Sequence, residues 1–318
     1  MRTFLEFEKP VADVFGKIED LRTLGNDSAV DGSDEIAKLK DKAEKALAEI
    51  YSKLTPWQKT AVARHPDRPH GSHYIHQLIE DYSPLAGDRA FAEDAAVMAG
   101  LGRFRGRSVA VLANERGADT ESRIKHNFGM ARPEGYRKAK RIMQMAERFR
   151  LPVITLIDTA GAYPGIGAEE RGQAEAIARS TEQALMLTVP SVAVVIGEGG
   201  SGGALALATA NRVLMLEHAV YSVITPEGAA SILWRDSTRA QEAAANMKIT
   251  AHDLLKLGVI EEIVPEPLGG AHRDRDCAIQ SVGAAIERAL VELDGTDPSA
   301  LKSERAARFL AIGRTLEA

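Results

Sequence analysis

The seven residues Gly197-Glu198-Gly199-Gly200-Ser201-Gly202-Gly203 hold five glycines and one serine. They join an apolar run, Val192-Ala193-Val194-Val195-Ile196, to a helix-forming run, Ala204-Leu205-Ala206-Leu207-Ala208. Glycine lets backbone approach a ligand closely and reach positive φ, and a following helix leaves its first N–H groups without acceptors. Such donors suit an oxyanion or a phosphate. The letters admit three chemistries. Gly197, Gly199 and Gly202 spell G-x-G-x-x-G, and Glu217 closes the next strand where a ribose-binding acid would stand, the pattern of an NAD-binding oxidoreductase. Against it, the helix over 204–209 is short and the motif falls in the third strand unit instead of opening a βαβ domain. The same letters spell G-x-S-x-G, with Ser201 as the nucleophile of a serine hydrolase and His218 close by in sequence. In the third reading the backbone donors do the work, and Ser201 and Glu198 are bystanders. A tight connection whose glycines only allow close packing, in a non-catalytic scaffold, is the bland alternative.

A second turn follows another apolar run in the same way: Asp158-Thr159-Ala160-Gly161-Ala162-Tyr163-Pro164-Gly165-Ile166-Gly167-Ala168-Glu169-Glu170. Two such turns on adjacent units can face one site and supply donors to developing charge without a side-chain nucleophile. Within it, Asp158 and Thr159 read as loop caps and Tyr163-Pro164 as packing, which leaves the glycines as the functional residues. The mixed-charge segment Gly117 to Met130 carries an aromatic, Phe128, that either lines a substrate mouth or tucks against the core. His126 has no ligand spacing around it, and no metal is assigned.

These turns need rigid elements behind them. Val109-Ala110-Val111-Leu112, Val153-Ile154-Thr155-Leu156-Ile157 and Val192 to Ile196 are β-branched runs without polar alternation, the mark of strands covered on both faces in a layered α/β domain. A helix is predicted from Pro133 through Ile142, Met145 and Phe149, and another from Glu169-Glu170 through Ile177, Leu185 and Leu187. Residues 1–80 form a helical arm and connection: Ile36, Leu39, Ala43, Leu47, Ile50 and Leu54 recur at helical spacing. Turn formers at Asn26-Asp27-Ser28 and Asp31-Gly32-Ser33-Asp34 break the arm in two, with Ser33 as N-cap. The Arg64-His65-Pro66-Asp67-Arg68-Pro69-His70 stretch is an irregular entry to a core over 81–270, and 271–318 adds peripheral C-terminal helices.

Composition bounds the function. With 318 residues and 45% hydrophobic content the chain can bury a real core, and a formal charge of -5 provides no global attraction for nucleic acid or anionic lipid. One cysteine, Cys277, excludes an internal disulfide and an all-cysteine zinc site. The first residues have no apolar h-region and no apolar run approaches about 20 residues, so a cytoplasmic chain that does not span a membrane is expected.

Taken together, the segments resemble the bacterial acetyl-CoA carboxylase carboxyltransferase alpha family nearly end to end. The resemblance is carried by Phe7-Glu8-Lys9-Pro10, Leu54-Thr55-Pro56-Trp57-Gln58, Ala63 to Pro69, Gly87-Asp88-Arg89, and Asn127-Phe128-Gly129-Met130. It continues through Arg132 to Ala139, Ala162 to Gln173, Gly197 to Ala204, Tyr221 to Ile224 with Pro226-Glu227-Gly228, and Pro265 to Arg273. It implies an α/β crotonase-like (ClpP/crotonase) superhelix of repeated strand-turn-helix units. It further implies a heterotetramer in which a beta subunit binds acetyl-CoA and carries a zinc ribbon. A biotin carboxyl carrier protein, loaded by biotin carboxylase, bears the biotin, and this chain supplies the biotin side. The family reaction moves the carboxyl group from carboxybiotin to acetyl-CoA, giving malonyl-CoA. The backbone N–H groups of Gly202, Gly203 and Ala204 are then the first oxyanion donors and those of Gly161 and Ala162 the second, with Gly199, Gly200 and Tyr163 on the biotin side. Ala160 stands where the family pattern has a proline, which relaxes φ and adds an N–H beside Gly161. Arg64, Arg68 and Lys125 are the basic residues in reach of a question about CoA phosphates.

Overall fold

A computed structural model gives the chain's architecture and describes residues 3–27 and 33–314. The apolar runs become strands of one sheet: β1 (Glu80–Pro84), β2 (Val97–Phe104), β3 (Arg107–Asn114), β4 (Val153–Thr159), β5 (Ser191–Gly200), β6 (Arg212–Leu216), β7 (Val220–Ser222) and β8 (Glu262–Val264). Their order is β1-β2-β3-β4-β5-β6-β8, with β7 paired to the far end of β5. The β1–β2 and β2–β3 pairs are antiparallel and the rest are parallel. Parallel strands need crossovers, which here are helices.

In chain order the helices are α1 (Lys9–Asp27), α2 (Ser33–Tyr51), α3 (Pro56–Ala63), α4 (Gly71–Leu78), α5 (Thr120–Lys125), α6 (Pro133–Phe149) and α7 (Ile166–Glu170). They continue with α8 (Gln173–Met186), α9 (Ser201–Ala208), α10 (Pro226–Trp234), α11 (Ala240–Asn246), α12 (Ala251–Lys256), α13 (Arg275–Glu292) and α14 (Pro298–Ala311). Helix α6 starts at Pro133, as its ring and missing N–H favour. The helix expected from Glu169 to Leu187 is split in two, because Gly172 takes φ +80° between α7 and α8.

Helices α6, α8 and α9 pack together, as do α4 and α13, and the sheet is enclosed so that every residue of β4 and β5 is buried. The arm is a hairpin of α1 and α2, seamed by Val14, Ile18 and Ala43 and seated through Val11, Leu47 and Tyr51 on Val62. Of the turn expected between them, residues 28–32 and the Ser33 side chain lie outside the described part. The C-terminal expectation needs correction. Helix α13 is not peripheral: Ala278, Ile279, Val282, Ala285, Ile286, Ala289 and Leu290 are buried against β5, β6 and β8. Its small residues let it lie close to the sheet, and a face that includes Ala278, Gly283, Ala285 and Ala289 reads weakly as core.

Candidate functional site

Strand β5 does not stop at Ile196. It runs on through Gly197-Glu198-Gly199-Gly200, pairing Glu198, Gly199 and Gly200 with Val220, Tyr221 and Ser222 of β7. Three glycines of the motif are therefore strand residues, and neighbours explain each. A Cβ on Gly197 would stand 2.5 Å from Asp158 Oδ1, one on Gly199 2.8 Å from the Tyr221 ring, and one on Gly200 2.1 Å from the Ala160 carbonyl oxygen. Helix α9 begins at Ser201, which holds φ +57°, unusual for a residue with a side chain. Its first N–H groups, over Ser201 to Gly203, have no helical carbonyl one turn earlier to bond, whereas the Ala204 N–H has the carbonyl of the N-cap, Gly200. Exposure falls along this turn, from Ser201 at the surface through half-buried Gly202 to buried Gly203 and Ala204.

The turn after β4 meets this one directly. A Cβ on Gly203 would come within 2.6 Å of the Gly161 carbonyl carbon, 2.7 Å of the Ala162 nitrogen and 2.8 Å of the Tyr136 hydroxyl. Only a residue without a side chain lets α9 approach so closely. Gly161 takes φ +152°, and its N–H is already bonded to Thr159 Oγ1 at 3.1 Å, while that hydroxyl donates to the Gly161 carbonyl at 2.7 Å. Tyr163 donates its N–H to Ala131, and Gln173 Nε2 binds the carbonyls of both residues at 2.9 Å. That leaves Ala162, whose N–H has no acceptor among the described residues. The Tyr163 ring covers Gly165 and lies 4.8 Å beneath the Arg132 guanidinium. The Tyr136 hydroxyl is buried without a hydrogen-bond partner among the described residues, and burial raises its pKa.

Behind the turns lies a set of charges that sequence reasoning did not assemble. Arg64 grips Glu198 through Nη2 at 2.6 Å and Nε at 3.1 Å, and reaches Glu227 at the start of α10 through Nη1 at 2.6 Å. Arg116 Nη1 lies 3.2 Å from Asp158 Oδ1 and 3.4 Å from Glu198 Oε2. Burial alone would raise the Asp158 pKa, but Arg116, His70 and the Glu198 N–H outweigh it and hold the carboxyl low. Desolvation likewise opposes charge on Arg64, yet the bonds to Glu198 and Glu227 keep its pKa high. A cavity of about 280 Å³ opens beside the network, lined by Arg64, Arg68, His70, Arg116, Arg123 and Phe128. Asp158 is thus more than a loop cap, and Glu198, taken as a bystander, is bound at both oxygens. Hints were present: two acidic residues immediately ahead of glycine turns, and an arginine pair in the 64–70 connection.

Other candidates fall away from the turns. Arg68 is 1% exposed and forked onto Glu266 at 2.6 and 2.8 Å, so it is closed to an external phosphate. Lys125 is exposed at the end of α5, and His126 Nδ1 faces the Ser122 carbonyl. The Ser201 hydroxyl has no histidine among its described hydrogen-bond partners, and His218 is buried edge-on to Tyr51. Glu217 takes the Lys59 ammonium on its carbonyl at 3.1 Å, and the motif lies in a central strand of the sheet. Among the described residues there is no cluster of three or more His, Cys, Asp or Glu able to hold a metal, and no helix is long and apolar enough to cross a membrane.

The mixed sheet wrapped by helices, with its two interlocked glycine turns, is a crotonase-like α/β fold of the carboxyltransferase class. Solved structures share that fold. Transcarboxylase 12S superposes with a TM-score of 0.58 at 20% identity, covering 71% of this chain and 42% of the other. A Pseudomonas malonate decarboxylase hetero-tetramer in complex with coenzyme A gives 0.57 at 17% identity, covering 70% and 90%. The family described as acetyl co-enzyme A carboxylase carboxyltransferase-like matches residues 4–313. The acetyl-coenzyme A carboxylase carboxyl transferase subunit alpha of Methylobacterium nodulans is 66% identical, over 99% of this chain and 100% of its own length. That of Azorhizobium caulinodans is 64% identical over the same shares. The chain belongs to the acetyl-CoA carboxylase carboxyltransferase alpha family, and the hydrolase and NAD-dependent readings are not favoured.

Proposed function

We propose that this chain forms the biotin-facing half of a two-chain enzyme that carries a carboxyl group from carboxybiotin to acetyl-CoA, making malonyl-CoA for fatty acid biosynthesis. The supporting observation is the interlock at Gly203, which places the open end of α9 against the Ala162 N–H. When bound, carboxybiotin on its carrier protein supplies an activated carboxyl group and a ring nitrogen that can take up a proton. The N–H groups of Gly202 and Gly203 are the first donors to a ureido oxygen that gains negative charge, and Ala162 is the second; Ala204, expected beside them, spends its N–H on the first turn of α9. Gly161 contributes conformation, since its own N–H is engaged. Gly199 and Gly200 shape the strand end, and Tyr163 forms a rim on the biotin side. Donors fixed before charge appears lower a barrier without reorganising, so no side-chain nucleophile is required.

In this reading a zinc-ribbon beta subunit brings acetyl-CoA, and the biotin carboxyl carrier protein is loaded by biotin carboxylase, all in the cytoplasm. The one cysteine of this chain, Cys277, is exposed and fits a division of labour in which the ribbon lies elsewhere. The test mixes purified chain with a beta partner and follows malonyl-CoA formation from acetyl-CoA and carboxybiotin. Turnover is expected only in the mixture; turnover by this chain unaided would overturn the proposal.

A further inference from the structure

The glycine turns are joined by charge as well as by packing. The regular ladder between β4 and β5 ends at Ile157 and Val195, and pairing then slips before Thr159 meets Gly199. Backbone bonds therefore do not fix the last residues of the two strands in register, and side chains take over. Asp158 Oδ1 crosses to accept the Glu198 N–H at 3.1 Å, lying over the space where Gly197 has no side chain. The Asp158 and Glu198 carboxylates are each 4% exposed, and such groups need countercharge to stay in place. Arg116 bridges them, and Arg64 extends the chain from Glu198 to Glu227 of α10.

We propose that Arg116 and Arg64 are positioning residues which set the separation of the two groups of backbone donors, acting through Asp158 and Glu198 without touching substrate. Remove Arg116 and the two carboxylates face each other at the strand ends, so the turns part. The proposal rests on the carboxyl-transfer reading for its kinetic arm and is independent of it for its structural arm. The groups facing Asp158 are Arg116 ahead of α5, His70 and Arg68 in the connection before α4, Tyr74 on α4, and Glu198 on β5.

The experiment uses the full chain, alone and in complex with its beta partner, as Arg116→Met, Arg116→Lys and Arg64→Lys. In Arg116→Met, kcat is expected to fall about 100-fold with KM for acetyl-CoA within about threefold, the penalty of donors displaced by about 1 Å. Activity should also fall as pH rises, because a buried Asp158 that has lost Arg116, the largest of the cationic influences on it, ionises at greater cost even with Arg68 and His70 still facing it. Arg116→Lys should restore most of kcat and remove the alkaline loss. Arg64→Lys, which keeps the charge but loses the fork, should lower kcat about tenfold and carries the kinetic test if Arg116→Met does not assemble. Amide exchange over 158–163 and 197–204 is read on the chain alone, and should quicken at least about tenfold in Arg116→Met and not in Arg116→Lys. Variants with wild-type kcat, a loss confined to KM, or unchanged exchange would overturn the assignment. A wild-type complex without turnover would sink the reaction reading and leave exchange to decide the positioning role.

Discussion

Replacing Gly203 with alanine is the smallest change that addresses the join between the two turns. The added carbon would stand 2.6 Å from the Gly161 carbonyl carbon and 2.7 Å from the Ala162 nitrogen, about 0.8 Å short of ordinary contact with the nearer atom. Both obstacles are backbone, so neither can rotate aside, and the third is the hydroxyl of a buried tyrosine. The turns must separate by most of that shortfall. Overpacking of this kind costs roughly 1–3 kcal/mol of stability. A displacement near 1 Å between reacting groups costs about 100-fold in rate, close to the loss when one oxyanion donor is removed. Gly203→Ala should therefore form the complex with its beta partner, seen by size-exclusion chromatography, while malonyl-CoA formation drops about 100-fold; Gly203→Val should do worse. Gly202→Ala is the internal comparison, because its Cβ meets Ile177 Cγ2 at an acceptable 3.4 Å, and its loss should be far smaller. An assembled Gly203→Ala complex turning over within threefold of wild type would refute the argument that turn separation limits the reaction.

Other expectations follow from the same geometry. Ser201 holds φ +57°, so Ser201→Gly should raise stability by up to about 1 kcal/mol in chemical denaturation, and Ser201→Ala should keep turnover within twofold. A fluorophosphonate label on Ser201 would contradict the second half. Tyr136→Phe removes a buried hydroxyl that lacks a partner among the described residues, so it should leave stability unchanged or raise it by about 1 kcal/mol; a clear loss would reveal a hidden partner. His272, stacked on His65 at 3.8 Å, has its pKa pushed down to about 3 by burial, then by His65, Arg273 and Arg68. The unfolded chain then binds the extra proton first. Stability should be full above about pH 6.5 and decline towards pH 3, by at most about 1.4 kcal/mol per pH unit from this group. His272→Phe should flatten that part of the pH profile, and an unchanged slope would exclude the residue as its source.

Much of the scaffold was legible because its signals are local. Unbroken β-branched runs mark β3, β4 and β5, and the α6 boundary is written in Pro133 and the apolar spacing after it. Strand β2 was not visible, since Gly100 and Gly102 interrupt its run. Both are glycines because Ser83 and Tyr82 of the adjacent strand β1, and Ile79 just ahead of it, occupy the space a Cβ needs, which is tertiary information. The same holds at the site. The glycine turns are plain in the sequence, but their interlock and the bond that engages Gly161 arise only from tertiary packing. The charges behind them join residues 134, 82 and 163 positions apart, and no spacing rule connects Arg64 to Glu198, Arg116 to Glu198 or Arg64 to Glu227.

The seam between arm and core has a practical consequence for anyone trimming this protein. It is crossed by reciprocal pairs: Arg64 and Arg68 reach in to Glu198 and Glu266, and Arg273 reaches back to Glu8. A fragment beginning at residue 81 would keep the whole sheet from β2 onward and both glycine turns, yet strand Glu266, 0% exposed, without Arg68 and leave Glu198, 4% exposed, with Arg116 alone. Excision along the apparent domain line would thus leave buried carboxylates short of countercharge, and the shortest piece worth expressing starts upstream of Arg64.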